Sequence, residues 1–135
     1  IGKREFYDDY AHHPTEIKAV LDSTRQVNKN RKIICVFQPH RYSRVESLKN
    51  EFASSFKSID EVVLCPVYSA GEKIKYKFNQ YNFSKLIAKK SRVRVINIKN
   101  QKELKMYTKK NLIEDEMVIC AGAGSISNWI REISN

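Results

Sequence analysis

The sequence has no uninterrupted run of about 18 apolar residues, the length a membrane-spanning helix needs, and no short apolar core behind a basic start such as a secretion signal carries. The expectation is a cytoplasmic protein. Glycine (4) and proline (3) are scarce, and no repeat or low-complexity stretch occurs, which excludes collagen-like and disordered classes. The three cysteines, Cys35, Cys65 and Cys120, are too widely spaced for a zinc-ligand pattern, and an odd number cannot complete a disulfide framework. Each falls in an apolar strand-like run, so burial as a small hydrophobe is expected. A G-x-x-x-x-G-K-[ST] phosphate loop is also missing, so this stretch of chain carries no ATP cradle of that kind.

What is present suits one globular domain. At 135 residues and 41% hydrophobic, the chain can enclose a core. It begins at Ile1 and enters a strand pattern within a few residues, as expected of a segment of a longer polypeptide. The net charge of +10 comes mostly from lysines scattered along the chain (Lys29, Lys32, Lys57, Lys73, Lys75, Lys77, Lys89, Lys90, Lys109, Lys110), the pattern of a solvated surface. Only Lys73 to Tyr81 interleaves basic and aromatic residues as a nucleic-acid contact would.

Runs rich in β-branched residues at Glu5 to Asp8, Ile33 to Phe37, Glu61 to Cys65, Val93 to Ile98 and Met117 to Ala121 are predicted strands. Helical periods separate them. Ile17, Val20, Leu21, Thr24 and Val27 form one apolar face; Val45, Leu48, Phe52 and Phe56 a second; Ile126, Trp129, Ile130 and Ile133 a third; Phe83 to Lys90 and Gln101 to Lys110 are weaker helices. Strand and helix in alternation predict an α/β, Rossmann-like fold: a mostly parallel sheet of about five or six strands with helices on both faces. The long connection Pro66 to Tyr81, containing Tyr68-Ser69-Ala70-Gly71-Glu72, suits a lid, a binding segment or an irregular surface loop.

Ligands of such sheets bind at the carboxyl ends of the strands, where helix N-termini present free N–H groups. Two polar segments fall there. In Asp8-Asp9-Tyr10-Ala11-His12-His13-Pro14-Thr15-Glu16, Pro14 fits the first turn of a helix, so His12 and His13 stand at its positive end, which favours neutral imidazole. Asp8 and Asp9 supply acceptors for ribose hydroxyls, a cation or an arginine. A local reading competes, in which an aspartate caps the helix and one histidine only packs. Asp and His could also begin a metal site, but no further ligands are fixed.

In Phe37-Gln38-Pro39-His40-Arg41-Tyr42-Ser43-Arg44, Arg41 and Arg44 are three apart. On an opening helix they would share a face and clamp a carboxylate or phosphate. A third segment, Ala121-Gly122-Ala123-Gly124-Ser125-Ile126, is a glycine turn in which Ser125 is a plausible N-cap.

Taken with Val67-Tyr68-Ser69-Ala70-Gly71-Glu72 and Gly122-Ala123-Gly124, these segments resemble the C-terminal domain of the Mur ligase family of peptidoglycan synthesis, over essentially all 135 residues. The Phe37 to Arg44 run is more typical of the branch that adds L-alanine to UDP-N-acetylmuramate than of the branch that recycles a murein tripeptide. The resemblance implies a three-domain enzyme whose first domain (UDP-sugar) and central ATPase domain are not in this sequence. It further implies an acyl-phosphate intermediate, and ATP and Mg2+ held mainly by that central domain.

By position, the resemblance places His12, His40, Arg41 and Arg44 around L-alanine, with His12 orienting the substrate or transferring a proton. It brings Asp9 and Tyr10 near the ATP ribose and adenine when the domains close. It implies no metal ligand in this domain, and this segment alone is expected not to catalyse. Ser125, where relatives often carry an acidic residue, and the Lys-, Tyr- and Asn-rich segment Ile74 to Phe83 depart from the family pattern. A basic nucleic-acid-binding module is the competing reading of a different class.

Overall fold

A computed structural model describes residues 5–9, 11–72, 78–111, 116–122 and 126–134, with the backbone alone at 5–9, 110, 111, 127, 130, 133 and 134. Five strands, β1 (Glu5–Asp9), β2 (Ile33–Phe37), β3 (Glu61–Leu64), β4 (Arg94–Asn97) and β5 (Met117–Ala121), form one sheet in the order β1-β5-β2-β3-β4. Every neighbouring pair is parallel. Six helices accompany them among the described residues: α1 (Pro14–Val27), α2 (Tyr42–Ser47), α3 (Lys49–Ala53), α4 (Gln80–Ser91), α5 (Gln101–Asn111) and α6 (Ile126–Ser134). The α/β class and the parallel sheet with helices on both faces are as expected.

β2, β3 and β5 are buried along their whole lengths, which is why they read as unbroken apolar runs rather than alternating ones. Alternation then sorts their side chains. Cys35, Phe37, Val62, Leu64, Ile119 and Ala121 join Ile17 and Leu21 of α1, Phe52 of α3, and Phe83 and Ile87 of α4 on one face. On the other face, Ile34, Val36, Val63, Val118 and Cys120 meet Leu104 and Tyr107 of α5 and Ile126 of α6. Phe37 holds the first layer together, with the Phe52 and Phe56 rings 5.6 and 5.3 Å away. Full burial of a side chain of this size contributes roughly 1.5 to 3 kcal/mol. All three cysteines are buried thiols outside any disulfide, and burial pushes the Cys65 thiol far up, so it does not ionise near neutrality.

Two helical faces differ from their sequence pattern. Val27 is 83% exposed, because the last turn of α1 runs past the edge of the core that holds Ile17 and Leu21. The face Val45, Leu48, Phe52 and Phe56 is not one helix. The chain bends at Leu48, which ends α2 and opens α3, and Phe56 lies in the turn beyond α3. Val45, Phe52 and Phe56 are all buried in the same cluster, so packing tolerates a break that apolar spacing alone does not reveal.

The topology sets the position of the site. The last strand, β5, inserts between β1 and β2, so the segments leaving β1, β5 and β2 emerge side by side at one sheet edge. Gly122, just after β5, makes this close packing feasible: a Cβ there would stand 2.9 Å from Ile126 Cγ2 and 3.0 Å from the Gln38 carbonyl oxygen.

Candidate functional site

Beyond Phe37 the chain leaves β2 but stays tethered. Gln38 N–H donates to the Ala121 carbonyl (2.9 Å), Tyr68 N–H to the Pro39 carbonyl (2.8 Å) and Arg41 N–H to the Tyr68 carbonyl (2.8 Å), with His40 and Tyr68 paired as a single parallel rung. The Gln38 side chain is buried, and its Oε1 accepts the Ile126 N–H at 3.0 Å. That is a cap for α6 delivered from another strand end. Ser125, the expected cap, lies outside the described residues.

Three rings from three strand ends meet here. His12, after β1, stands 6.0 Å from His40, after β2; His40 in turn stacks on Tyr68, after β3, at 5.6 Å with 26° between the planes. The adjoining histidine has a different task. His13 Nδ1 accepts the Thr15 N–H (3.2 Å), and Glu16 Oε1 accepts the His13 N–H (3.2 Å), a reciprocal capping box with Pro14 in the first turn of α1. The cap is thus His13 itself rather than an aspartate. His12 is no part of that cap; its Nδ1 lies 4.0 Å from Glu16 Oε1 and its side chain is 37% exposed.

Arg41 and Arg44 do not share a helical face. Arg41 precedes α2 at its N-cap position with φ 68° and ψ 129°, while Arg44 is inside the helix. A non-glycine residue in such a conformation costs about 1 to 3 kcal/mol and persists only where its surroundings hold it. The tether to Tyr68 and the next turn of α2 do so. Both guanidinium groups nevertheless act on His40. Desolvation first, then Arg44, Arg41 and His12, hold its imidazole below the usual histidine range, while Glu72 opposes them. His40 is therefore neutral at pH 7 and able to accept a hydrogen bond or a proton.

Two atoms at this mouth are buried without a hydrogen-bond partner: His40 Nδ1 and Arg44 Nη1. A buried polar group left unpaired costs roughly 1 to 3 kcal/mol, and more if charged, so this pair favours a ligand that supplies acceptors. Guanidinium and neutral imidazole suit a carboxylate. They do not suit Mg2+, which takes oxygen ligands, and among the described residues no three His, Cys, Asp or Glu side chains converge as a metal site.

The structure brings His12, His40, Arg41 and Arg44 together beyond the ends of β1 and β2. Asp9 ends β1 in register with Ala121, which puts its backbone at that edge as well; Tyr10 lies outside the described residues. Tyr68, Gln38 and Glu72 were not singled out as site residues. Glu72 Oε1 accepts the Ser43 N–H (2.9 Å) and its Oε2 the Ser43 hydroxyl (2.5 Å), across 29 residues of sequence. Their signals were the Phe37 to Arg44 segment for Gln38 and, for Tyr68 and Glu72, the family-like block Val67 to Glu72 in a long loop at the ligand edge. Of the scattered lysines, Lys29, Lys32, Lys57, Lys89, Lys90 and Lys109 are exposed, as on a solvated surface; the Lys110 side chain and residues 73–77, most of the segment with the nucleic-acid pattern, lie outside the described residues. Among the described residues no helix is long and apolar enough to cross a membrane.

Several known proteins resemble this chain. The UDP-N-acetylmuramate--L-alanine ligase of Pelagibacter ubique is 51% identical over 128 residues, which is 95% of this chain and 28% of that protein. The crystal structure of the UDP-N-acetylmuramate-alanine ligase of Thermotoga maritima superposes with a TM-score of 0.68 at 28% identity, covering 96% of this chain and 26% of that one. A murein peptide ligase from Psychrobacter arcticus gives a TM-score of 0.75 over 99% of this chain and 27% of its own, but at 13% identity that likeness shows the fold alone. The chain spans roughly a quarter of the length of the curated relatives it matches. The model of the Mur ligase glutamate ligase domain matches residues 1–124, and the chain belongs to the Mur ligase family.

Proposed function

We propose that this chain is the amino-acid-binding, C-terminal domain of an ATP-dependent ligase that joins L-alanine to the carboxylate of UDP-N-acetylmuramate. The supporting observation is the buried, unpartnered Arg44 Nη1 beside the neutral His40 at the end of β2. Arg41 and Arg44 hold the alanine carboxylate through charge-assisted bonds. That leaves the amine toward the imidazoles, where His12 orients it or takes its proton and the unpaired His40 Nδ1 offers one further hydrogen bond.

The amine nitrogen attacks the acyl carbon of the muramyl phosphate; the carbon–oxygen bond to phosphate breaks, phosphate leaves, and the amine proton is lost. Positioning and charge complementarity are this domain's contribution to the rate. ATP and Mg2+ are bound mainly by an upstream central domain, since the donors here fit a carboxylate rather than a hard cation. Asp9 and Tyr10 approach the nucleotide when the domains close. The enzyme works in the cytoplasm, and the 135 residues alone do not catalyse.

The test is phosphate release by the full-length parent with ATP and UDP-N-acetylmuramate. Release that requires L-alanine supports the assignment. Release with a murein tripeptide and not with alanine moves it to the recycling branch. Inactivity with both, together with salt-sensitive DNA or RNA binding, replaces it with the basic-module reading.

A further inference from the structure

We propose that Glu72 is a positioning residue for the alanine site: its carboxylate clasps the start of α2 and so holds Arg41 and Arg44 in place. The proposal rests on the carboxylate-clamp reading above. α2 is only six residues long, and its own N-cap residue, Arg41, makes no side-chain capping bond. A short helix with an uncapped start frays readily. Glu72 supplies the missing acceptors from a different loop, with both carboxylate oxygens on Ser43. The Ser43 hydroxyl and amide, with help from the Tyr42 amide and the Arg41 charge, hold the Glu72 carboxyl below the usual range, so it is ionised at neutral pH.

The loop is shaped for this clasp. Glu72 N–H donates to the Ser69 carbonyl (3.0 Å), closing a turn in which Ala70 and Gly71 take successive positive φ values of 52° and 81°. Nothing lies within 4 Å of a Cβ built on Gly71, so glycine there serves the backbone conformation rather than a close contact. At the loop's other end, Tyr68 holds the Arg41 N–H through its carbonyl and stacks on His40. Tyr68 and Glu72 therefore grip the segment His40 to Ser43 on either side of the positive-φ Arg41. Glu72 reaches the segment through its hydrogen bonds to Ser43, and its charge also faces Arg41 and His40.

The experiment is steady-state kinetics of the full-length parent carrying Glu72→Ala, Glu72→Gln, Gly71→Ala, Arg41→Ala or Arg44→Ala, with all three substrates varied. Glu72→Ala is expected to raise the KM for L-alanine about tenfold, leaving kcat at saturating alanine and the KM values for ATP and UDP-N-acetylmuramate nearly unchanged. Glu72→Gln keeps one acceptor oxygen and the side-chain size, so its rise is smaller and remains readable if the alanine variant folds poorly. Gly71→Ala, which strains the turn, should shift alanine KM in the same direction. An unchanged alanine KM in both Glu72 variants, beside a raised one in Arg44→Ala, overturns this proposal and leaves the clamp standing. Equal loss against all substrates with no recovery in Glu72→Gln reduces Glu72 to a folding role and overturns it too. An unchanged alanine KM in both arginine variants overturns the clamp and, with it, this inference.

Discussion

Replacing Arg44 by alanine puts the proposed clamp at risk most directly. Its Nη1 is buried without a protein partner, so the substitution breaks no internal hydrogen bond of that atom. Relief of a buried, unpaired group offsets the packing lost with the aliphatic stem, so the free chain should keep its stability to within about 1 kcal/mol. The effect on alanine is larger. One charge-assisted bond to a carboxylate is worth about 1.5 to 3 kcal/mol, and at about 1.4 kcal/mol per factor of ten the parent enzyme should lose roughly 10- to 150-fold in kcat/KM for alanine. Arg44→Lys retains the charge without the planar fork and should fall between.

Arg44 is also the largest charge holding the His40 imidazole down, so in the 135-residue chain Arg44→Ala should move the His40 titration upward, followed by NMR of the ring protons. Phosphate release measured against alanine concentration at saturating UDP-N-acetylmuramate gives the first quantity. An alanine dependence equal to wild type in Arg44→Ala would refute the clamp; a His40 titration that does not move would show that the two groups are not neighbours in solution.

Two further predictions concern the scaffold. His13→Ala removes the acceptor of the Thr15 N–H and should cost the 135-residue chain about 0.5 to 2 kcal/mol in urea unfolding. His13→Asn, a good cap, should cost far less, and neither variant should alter the alanine dependence of the parent; a changed dependence would place His13 in the site. Tyr107 donates to Glu61 Oε2 at 2.6 Å in a buried contact, and Tyr107→Phe should lose about 1.5 to 3 kcal/mol at pH 7.

Burial first, and then Glu61, push the Tyr107 phenol far above its usual value. The folded state holds that proton more tightly than the unfolded chain. Its contribution is complete below the unfolded tyrosine value of about 10 and declines as pH rises beyond it. Stability of the wild type should therefore fall more steeply above that pH than stability of Tyr107→Phe, and parallel curves by thermal unfolding would contradict the argument.

Much of this molecule follows from local pattern. The runs Ile33 to Phe37 and Met117 to Ala121 are strands to the residue, because full burial on two faces demands continuous apolar sequence. Pro14 marked the start of α1 because a missing N–H costs nothing in a first turn. Those local rules put His12, His40 and Arg44 at strand ends or helix starts, where parallel sheets bind ligands.

Three matters were decided only by the tertiary structure. Strand order is one: the return of β5 between β1 and β2 is a long-range pairing with no local signature, and it brings the segments after β1 and β2 close enough for His12 and His40 to meet. The caps are another. Ser43 is held by Glu72 from 29 residues away, and Ile126 by Gln38 from 88, pairings invisible to any helical or strand period. The last is the backbone of Arg41. Apolar and charged spacing suggested a helical face shared with Arg44; instead the tether to Tyr68 turns Arg41 into a positive-φ conformation outside the helix. Residue types at the site follow from sequence because chemistry is local, whereas their mutual geometry comes from contacts between segments that sequence leaves far apart.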